Sequence, residues 1–327
     1  MKTRIFSVLV LCGALSTWGG LAAAACTCTA TGFPTAPGLT ACQINPTPTV
    51  TGTINAAACD IGVYYSPGNS GSVNGATISG GGSFGVLVNG ASVDVLNSTI
   101  TTPGGVGIIY LNGASCLVPF RQRHPWLGGA YPGFSGGYPS ACGVQNNAIT
   151  LTAAGKTGVV AKNPGTVVAI INNMVTGSGP NGGIAQNGIE IGDGAAADIE
   201  RNIVTNNEYT GPTFAATGIL IYGGPAEAGY GNFEGPNYTS HLEVANNTLS
   251  SNDLGVVLWN QAAGNSKPPP TNNDVSQNDI SNDATGLDCN PFATGIAYYS
   301  GNGDTTNDNA VYGVCYGGSG TVAPAAD

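Results

Sequence analysis

Six stretches of the chain share one arrangement of apolar and polar positions when each is aligned on its last branched apolar residue. They are VDVLNSTI ending at Ile100, GVQNNAI at Ile149, AIINNMV at Val175, DIERNIV at Val204, EVANNTL at Leu249 and DVSQNDI at Ile280. Five positions before that anchor stands Val95, Val144, Ile170, Ile199, Val244 or Val275, in every case β-branched. Two positions before it stands Asn147, Asn173, Asn202, Asn247 or Asn278, with Ser98 in the first stretch. Weaker copies end at Ile78 and Val311. Between anchors a glycine opens a second apolar run, as in GVLV from Gly85, GVVA from Gly158, GIEI from Gly188, GILI from Gly218, GVVL from Gly255 and GIAY from Gly295. Alternating runs of this length read as strands, so each repeat holds at least two. Anchors recur roughly every 20 to 50 residues, the range of repeat architectures.

Such repeats are too short for a helix plus strands. The pattern predicts an all-β fold, a single-stranded right-handed parallel β-helix or solenoid of about eight rungs. Inward branched residues then stack in columns between rungs ~4.8 Å apart. The asparagine sits in a tight turn, tolerates left-handed backbone, and hydrogen-bonds through its amide from rung to rung. A leucine-rich repeat would need a leucine register that is missing, and an antiparallel sandwich would not repeat an asparagine at one phase. The outward row of the glycine-led strands runs Leu87, Val160, Glu190, Leu220, Val257 and Ala297. So apolar a row needs a cover: the segment before the repeats, or a second subunit in a homo-oligomer.

Lys2 and Arg4 precede an apolar run from Ile5 to Leu15, followed by small residues to Ala25. This reads as an export signal, too short for a membrane span. The expected division is 1–25 signal peptide, 26–70 N-terminal cap or covering segment, and 71–327 β-helix, in a secreted, extracellular protein. Cys26 follows the signal directly, so a lipid-modified cysteine attached to the cell surface is the alternative to ordinary cleavage. Eight cysteines remain beyond Cys12, and an even count in an exported chain favours disulfides over metal. Nearest neighbours would pair Cys42 with Cys59, Cys116 with Cys142 and Cys289 with Cys315, although spacing leaves connectivity open. The net charge is −10, with 16 of the 18 acidic residues at or after Glu190. That balance argues against nucleic acid as a partner.

Through NNAITLTAAGKTGVVA, IINNMVTG, DIERNIVTNNEYTG with GILIYG, and EVANNTLSSNDLGVVL, the chain resembles the pectin-lyase-like superfamily of right-handed β-helix proteins. The resemblance covers roughly Val73 to Val314. It implies the fold, and a glycan as partner: members act on polysaccharides as lyases, hydrolases or epimerases, while others are adhesins. No GHG and RIK pair, no DPHD and no lyase-like arginine pattern is present, so the resemblance carries over no catalytic residue.

Three long insertions, 112–143, 222–242 and 259–273, interrupt the same turn. The rungs anchored at Val175 and Val204 lack one and should floor a groove ~10 Å wide. Outward positions of the floor strands carry Asp94, Asp198, Glu243 and Asp274, joined by Glu200. Carboxylates on successive rungs lie at separations used by glycosidases, and close like charges make an acid beside a base. A bound Ca²⁺ suits the same groups; a solvated acidic face is the plain alternative. Asp198, Glu200, Glu243 and the nearby His241 are therefore the acid–base candidates. Arg121, Arg123, His124 and Trp126 on the first insertion, Lys162, and Tyr230, Phe233 and Tyr238 on the second are the candidate substrate clamps. The expected function is binding or processing of polysaccharide or a cell-surface glycan, by a lyase or glycoside hydrolase if the protein is an enzyme. The rival is a non-catalytic structural or adhesive surface protein.

Overall fold

The computed structural model describes residues 24–102, 104–117, 143–211, 215–222, 239, 242–259, 274–276, 278–281, 294–298, 305–307 and 310–312. All of its regular structure is β. The strands form a ten-stranded and a sixteen-stranded sheet. Every strand pairing is parallel except that of Thr29–Ala30 with Thr40–Ile44. The repeats contribute three strands where they are fully described, within the expectation of at least two. In the repeat anchored at Val204 these are Ala196–Glu200, Ile203–Tyr209 and Thr217–Tyr222. Each pairs with its counterpart on the next repeat, which is a β-helix-like arrangement.

The registers follow the sequence alignment residue by residue. Val95, Val144, Ile170, Ile199, Val244 and Val275 stand opposite one another in order. The anchors from Ile78 to Val311 form a second column. Val86, Ile108, Val159, Ile189, Ile219 and Val256 form a third. From Ile78 to Ile280 all three columns lie in one continuous core. Burying a Val or Ile fully stabilises by about 1.5–3 kcal/mol, so a single coil is marginal and stacking supplies the stability.

Glycine leads the third strand because two neighbours crowd its Cα. A Cβ at Gly158 would lie 2.4 Å from Val175 Cγ1 and 2.6 Å from the carbonyl oxygen of Gly188.

The asparagines form an unbroken buried ladder. The Oδ1 atoms of Asn173, Asn202, Asn247 and Asn278 each accept from the backbone N–H and the Nδ2 of the asparagine on the preceding repeat, at 2.9–3.0 Å. The Nδ2 groups also donate to strand carbonyls, such as Asn202 to Ile170 at 2.8 Å. The left-handed residue is not the ladder asparagine but the residue before it: Asn97, Asn146, Asn172, Arg201 and Asn246 have φ from 48° to 57°. The turn thus divides its labour: one residue takes the unusual backbone and the next satisfies the buried polar groups.

The strands begin earlier than residue 71. Thr40–Ile44 and Ile61–Tyr65 pair in parallel, as do Val50–Ala56 and Ser70–Gly80, so much of 26–70 is itself coil. The part before it packs on the outer face of the first rungs of the glycine-led sheet. Phe33 packs edge-on to Tyr64, and with Ala36 and Leu39 joins a cluster containing Leu87, Ile109 and Val160. Cys26 bonds to Cys42 and Cys28 to Cys59, so the nearest-neighbour pairing of Cys42 with Cys59 does not form. Cys116 is also disulfide-bonded, whereas Cys142, Cys289 and Cys315 lie outside the described residues. No helix of the described residues is long and apolar enough to cross a membrane.

Candidate functional site

Ala196–Glu200 turns the side chains of Ala197 and Ile199 into the core, which leaves Asp198 and Glu200 on its other face. Glu243 begins the next strand of that sheet, directly opposite Asp198. Asp198, Glu200 and Glu243 can each place a carboxylate oxygen within 4.8 Å of the other two. Asp198 has no solvent exposure and Glu200 has 5%, while Glu243 is half-buried. No N–H or O–H of another described residue reaches either Asp198 oxygen. Burial pushes its carboxyl up to about 8, the charges of Glu200 and Glu243 and a hydrogen bond with Glu200 push the same way, and Arg201 opposes them. At neutral pH Asp198 therefore carries a proton that it can offer to Glu200.

Glu200 in turn forms an ion pair with Arg201, whose side chain is 49% exposed. Arg201 Nε also donates to Asn172 Oδ1 at 3.2 Å. Arg201 is not among the sequence-based candidates, yet it occupies the left-handed position that Asn97, Asn146, Asn172 and Asn246 fill in four other repeats. A left-handed conformation costs a non-glycine residue roughly 1–2 kcal/mol, least for Asn, so arginine there is a departure from the backbone's preference. It lies beside the carboxylate cluster.

Three carboxylates within this distance form a partial donor set for a hard cation such as Ca²⁺, which takes six to eight oxygens. Arg201 already compensates Glu200, and the burial of Asp198 favours its protonated form. The arrangement therefore fits a shared proton better than a cation.

The remaining candidates are dispersed. Asp94 does not join the cluster; it accepts from Gly143 N at 2.8 Å and Leu117 N at 3.2 Å, fastening both feet of the first insertion. Burial raises its pKa while those two bonds lower it. Of Asp274 the register opposite Glu243 is described. Lys162, expected as a substrate clamp, is on the other sheet, 2% exposed and 3.1 Å from Glu190 Oε1. Burial opposes ionisation of Glu190, but Lys162, Asn187 and Thr157 outweigh it and hold its carboxyl below the ordinary range. The lysine's reach is used within the protein, which corrects that expectation. His241, Arg121, Arg123, His124, Trp126, Tyr230, Phe233 and Tyr238 lie outside the described residues.

No family model matches the chain. No curated protein is similar to it in sequence. Among solved structures it is similar to the Dettilon tailspike protein, with a TM-score of 0.40 and 14% identity over 81% of this chain. The chain spans about half of that structure's length, 54%.

Proposed function

We propose that the chain is an exported, right-handed parallel β-helix of about eight rungs that binds or processes polysaccharide in a groove beside its long insertions. The observation that carries this reading is the meeting of Asp198, Glu200 and Glu243 at one point of an otherwise charge-poor solenoid. Glu243 is the half-exposed member, so it is the group assigned to meet the sugar and transfer a proton. Asp198 stands behind as a proton-holding partner, and Glu200 with Arg201 keeps charge balanced beside it. Oxygens this close resemble the shorter carboxylate spacing of retaining glycosidases more than the wider inverting one. His241 and the aromatic and basic residues of the two insertions are proposed to line the walls.

The test is incubation of the purified chain with neutral and acidic polysaccharides. New reducing ends, ultraviolet absorbance of unsaturated products and retention on affinity gels would be followed together. Cleavage or binding lost in Glu243→Gln, with an unchanged circular dichroism spectrum, is the expected result. Absence of both cleavage and binding across the panel would overturn it.

A further inference from the structure

The strand that follows each asparagine turn presents a second ordered surface, distinct from the acidic cluster. Each anchor points inward, and the residues on either side of it point out. On the C-terminal side stand Ser79, Thr101, Thr150, Thr176, Thr205 and Ser250, in direct register from repeat to repeat. All are half-buried or exposed. On the N-terminal side the order along the stack is Thr77, Thr99, then the apolar Ala148, Met174 and Ile203, then Thr248; Met174 is 50% and Ile203 48% exposed. Among the described residues none of the hydroxyls in these two rows hydrogen-bonds to another side chain, in contrast to that of Thr157, which donates to Glu190 Oε2. The first charged side chain reached along the rows is Asp279.

This is a two-dimensional array. Along the stack the hydroxyls repeat every ~4.8 Å, and across a strand two outward positions are ~6.6 Å apart. From Ser79 to Ser250 the array extends for about 24 Å. Threonine is stiff at χ1, so methyl and hydroxyl are held at fixed places before anything binds, and little ordering cost remains. The three long insertions fall between the third strand of one repeat and the first strand of the next, not beside the strand that carries these rows.

We infer that this face binds the surface of crystalline water, with each rung's hydroxyls and methyls matching the oxygen repeat of an ice plane. A charged row would have to shed tightly held hydration at such a surface; these rows have none to shed. Flat glycan surfaces are gripped by stacked aromatic rings, and neither row contains one. Self-association would call for a larger apolar patch than three adjacent side chains beside an unbroken row of hydroxyls provide.

The purified full-length chain is assayed for thermal hysteresis and for inhibition of ice recrystallisation. Both are expected in the native protein and expected to be lost in Thr101→Tyr and Thr150→Tyr, whose bulky rings break the plane while suiting a strand. A far-ultraviolet spectrum and melt like the native protein's establish that those variants fold. Thr176→Ser, which keeps the hydroxyl and the plane, is expected to retain activity and provides a second reading if a tyrosine variant misfolds. A native chain that leaves ice growth unchanged overturns the inference. So does a face whose tyrosine variants abolish dimer formation, or retention on microcrystalline cellulose, while ice growth is unaffected. The acidic cluster plays no part in these assays, so failure here leaves the polysaccharide reading to its own test.

Discussion

Asp198 and Glu243 face one another on adjacent parallel strands, two acidic side chains at one register position of a sheet. Like charges placed so are destabilising when both are ionised, and Asp198 avoids this by keeping its proton. Its folded pKa of about 8 lies far above the ordinary 3.8. As pH rises between those values, the unfolded chain gives up a proton that the folded chain retains. Stability therefore falls across that window and levels off above about 8. Asp198→Asn removes the titration. Thermal melts across the window should show a flatter pH dependence for the variant. At the alkaline end it should gain at least about 1.4 kcal/mol, the worth of a single pKa unit. Parallel slopes for the two proteins would remove Asp198 as the titrating group.

Arg201 poses an opposite balance. Asparagine at its left-handed position would relieve up to about 1 kcal/mol of backbone cost. It would also leave the 5% exposed Glu200 without its counter-charge, and breaking a buried ion pair from one side costs more than the roughly 1–3 kcal/mol of a neutral polar group. Arg201→Asn should therefore lower stability, whereas Glu200→Gln with Arg201→Asn should recover the loss and exceed the single variant. Denaturant unfolding of the native, single and double variants decides this. A single Arg201→Asn variant more stable than the native protein would mean that the ion pair contributes nothing.

Much of the architecture was legible because the physics of stacking writes one residue per repeat into each column. Ile170, Ile199 and Val244 recur five positions before their anchors because each lies on the next. The cover over Leu87 and Val160 was foreseeable from their hydrophobicity alone, and Phe33 supplies part of it. Residues acting across repeats were less legible. Lys162 and Glu190 meet through the stacking of two third strands, with Lys162 opposite Gly192 and Glu190 opposite Val160, and no local pattern couples them. The left-handed residue was misplaced by one position because the sequence shows two adjacent asparagines and does not say which of them turns. Arg201 is the one charged residue among Asn97, Asn146, Asn172, Arg201, Asn246 and Gln277, a signal that rung-by-rung comparison of the position before the ladder shows.

The asparagine ladder should be the most sensitive structural feature. Asn202 Oδ1 accepts from the backbone N–H and Nδ2 of Asn173, and its own Nδ2 serves the carbonyl of Ile170. Asn202→Ala leaves the Asn173 N–H and the Ile170 carbonyl unpaired in a buried place, at about 1–3 kcal/mol each. A loss of roughly 2–5 kcal/mol is expected from equilibrium unfolding. Ser98→Ala, at the end of the ladder, removes the bond from its hydroxyl to the Leu96 carbonyl and the bond it accepts from Ala76 N. Its own N–H still reaches Asn147 Oδ1, so it should cost less. Equal losses at the two positions would show that the ladder does not act as a continuous unit.

Lys162 and Glu190 bring a full charge pair into a face that is otherwise covered by apolar contacts, at 3% and 0% side-chain exposure. Breaking such a pair from one side leaves an uncompensated buried charge and costs about 3–5 kcal/mol. Replacing both partners by apolar groups of similar size is often close to neutral. Lys162→Met should therefore be strongly destabilising, and Lys162→Met with Glu190→Leu much less so, with a large coupling between them in a double-mutant cycle. Because the pair holds Glu190 below its ordinary pKa, its contribution is present above the unfolded carboxylate's pKa and is lost as pH falls through the lower, folded value. The native protein should thus lose stability on acidification in a way the double variant does not. If the two single losses simply add in the double variant, the pair is not coupled and the buried charges are held by other partners.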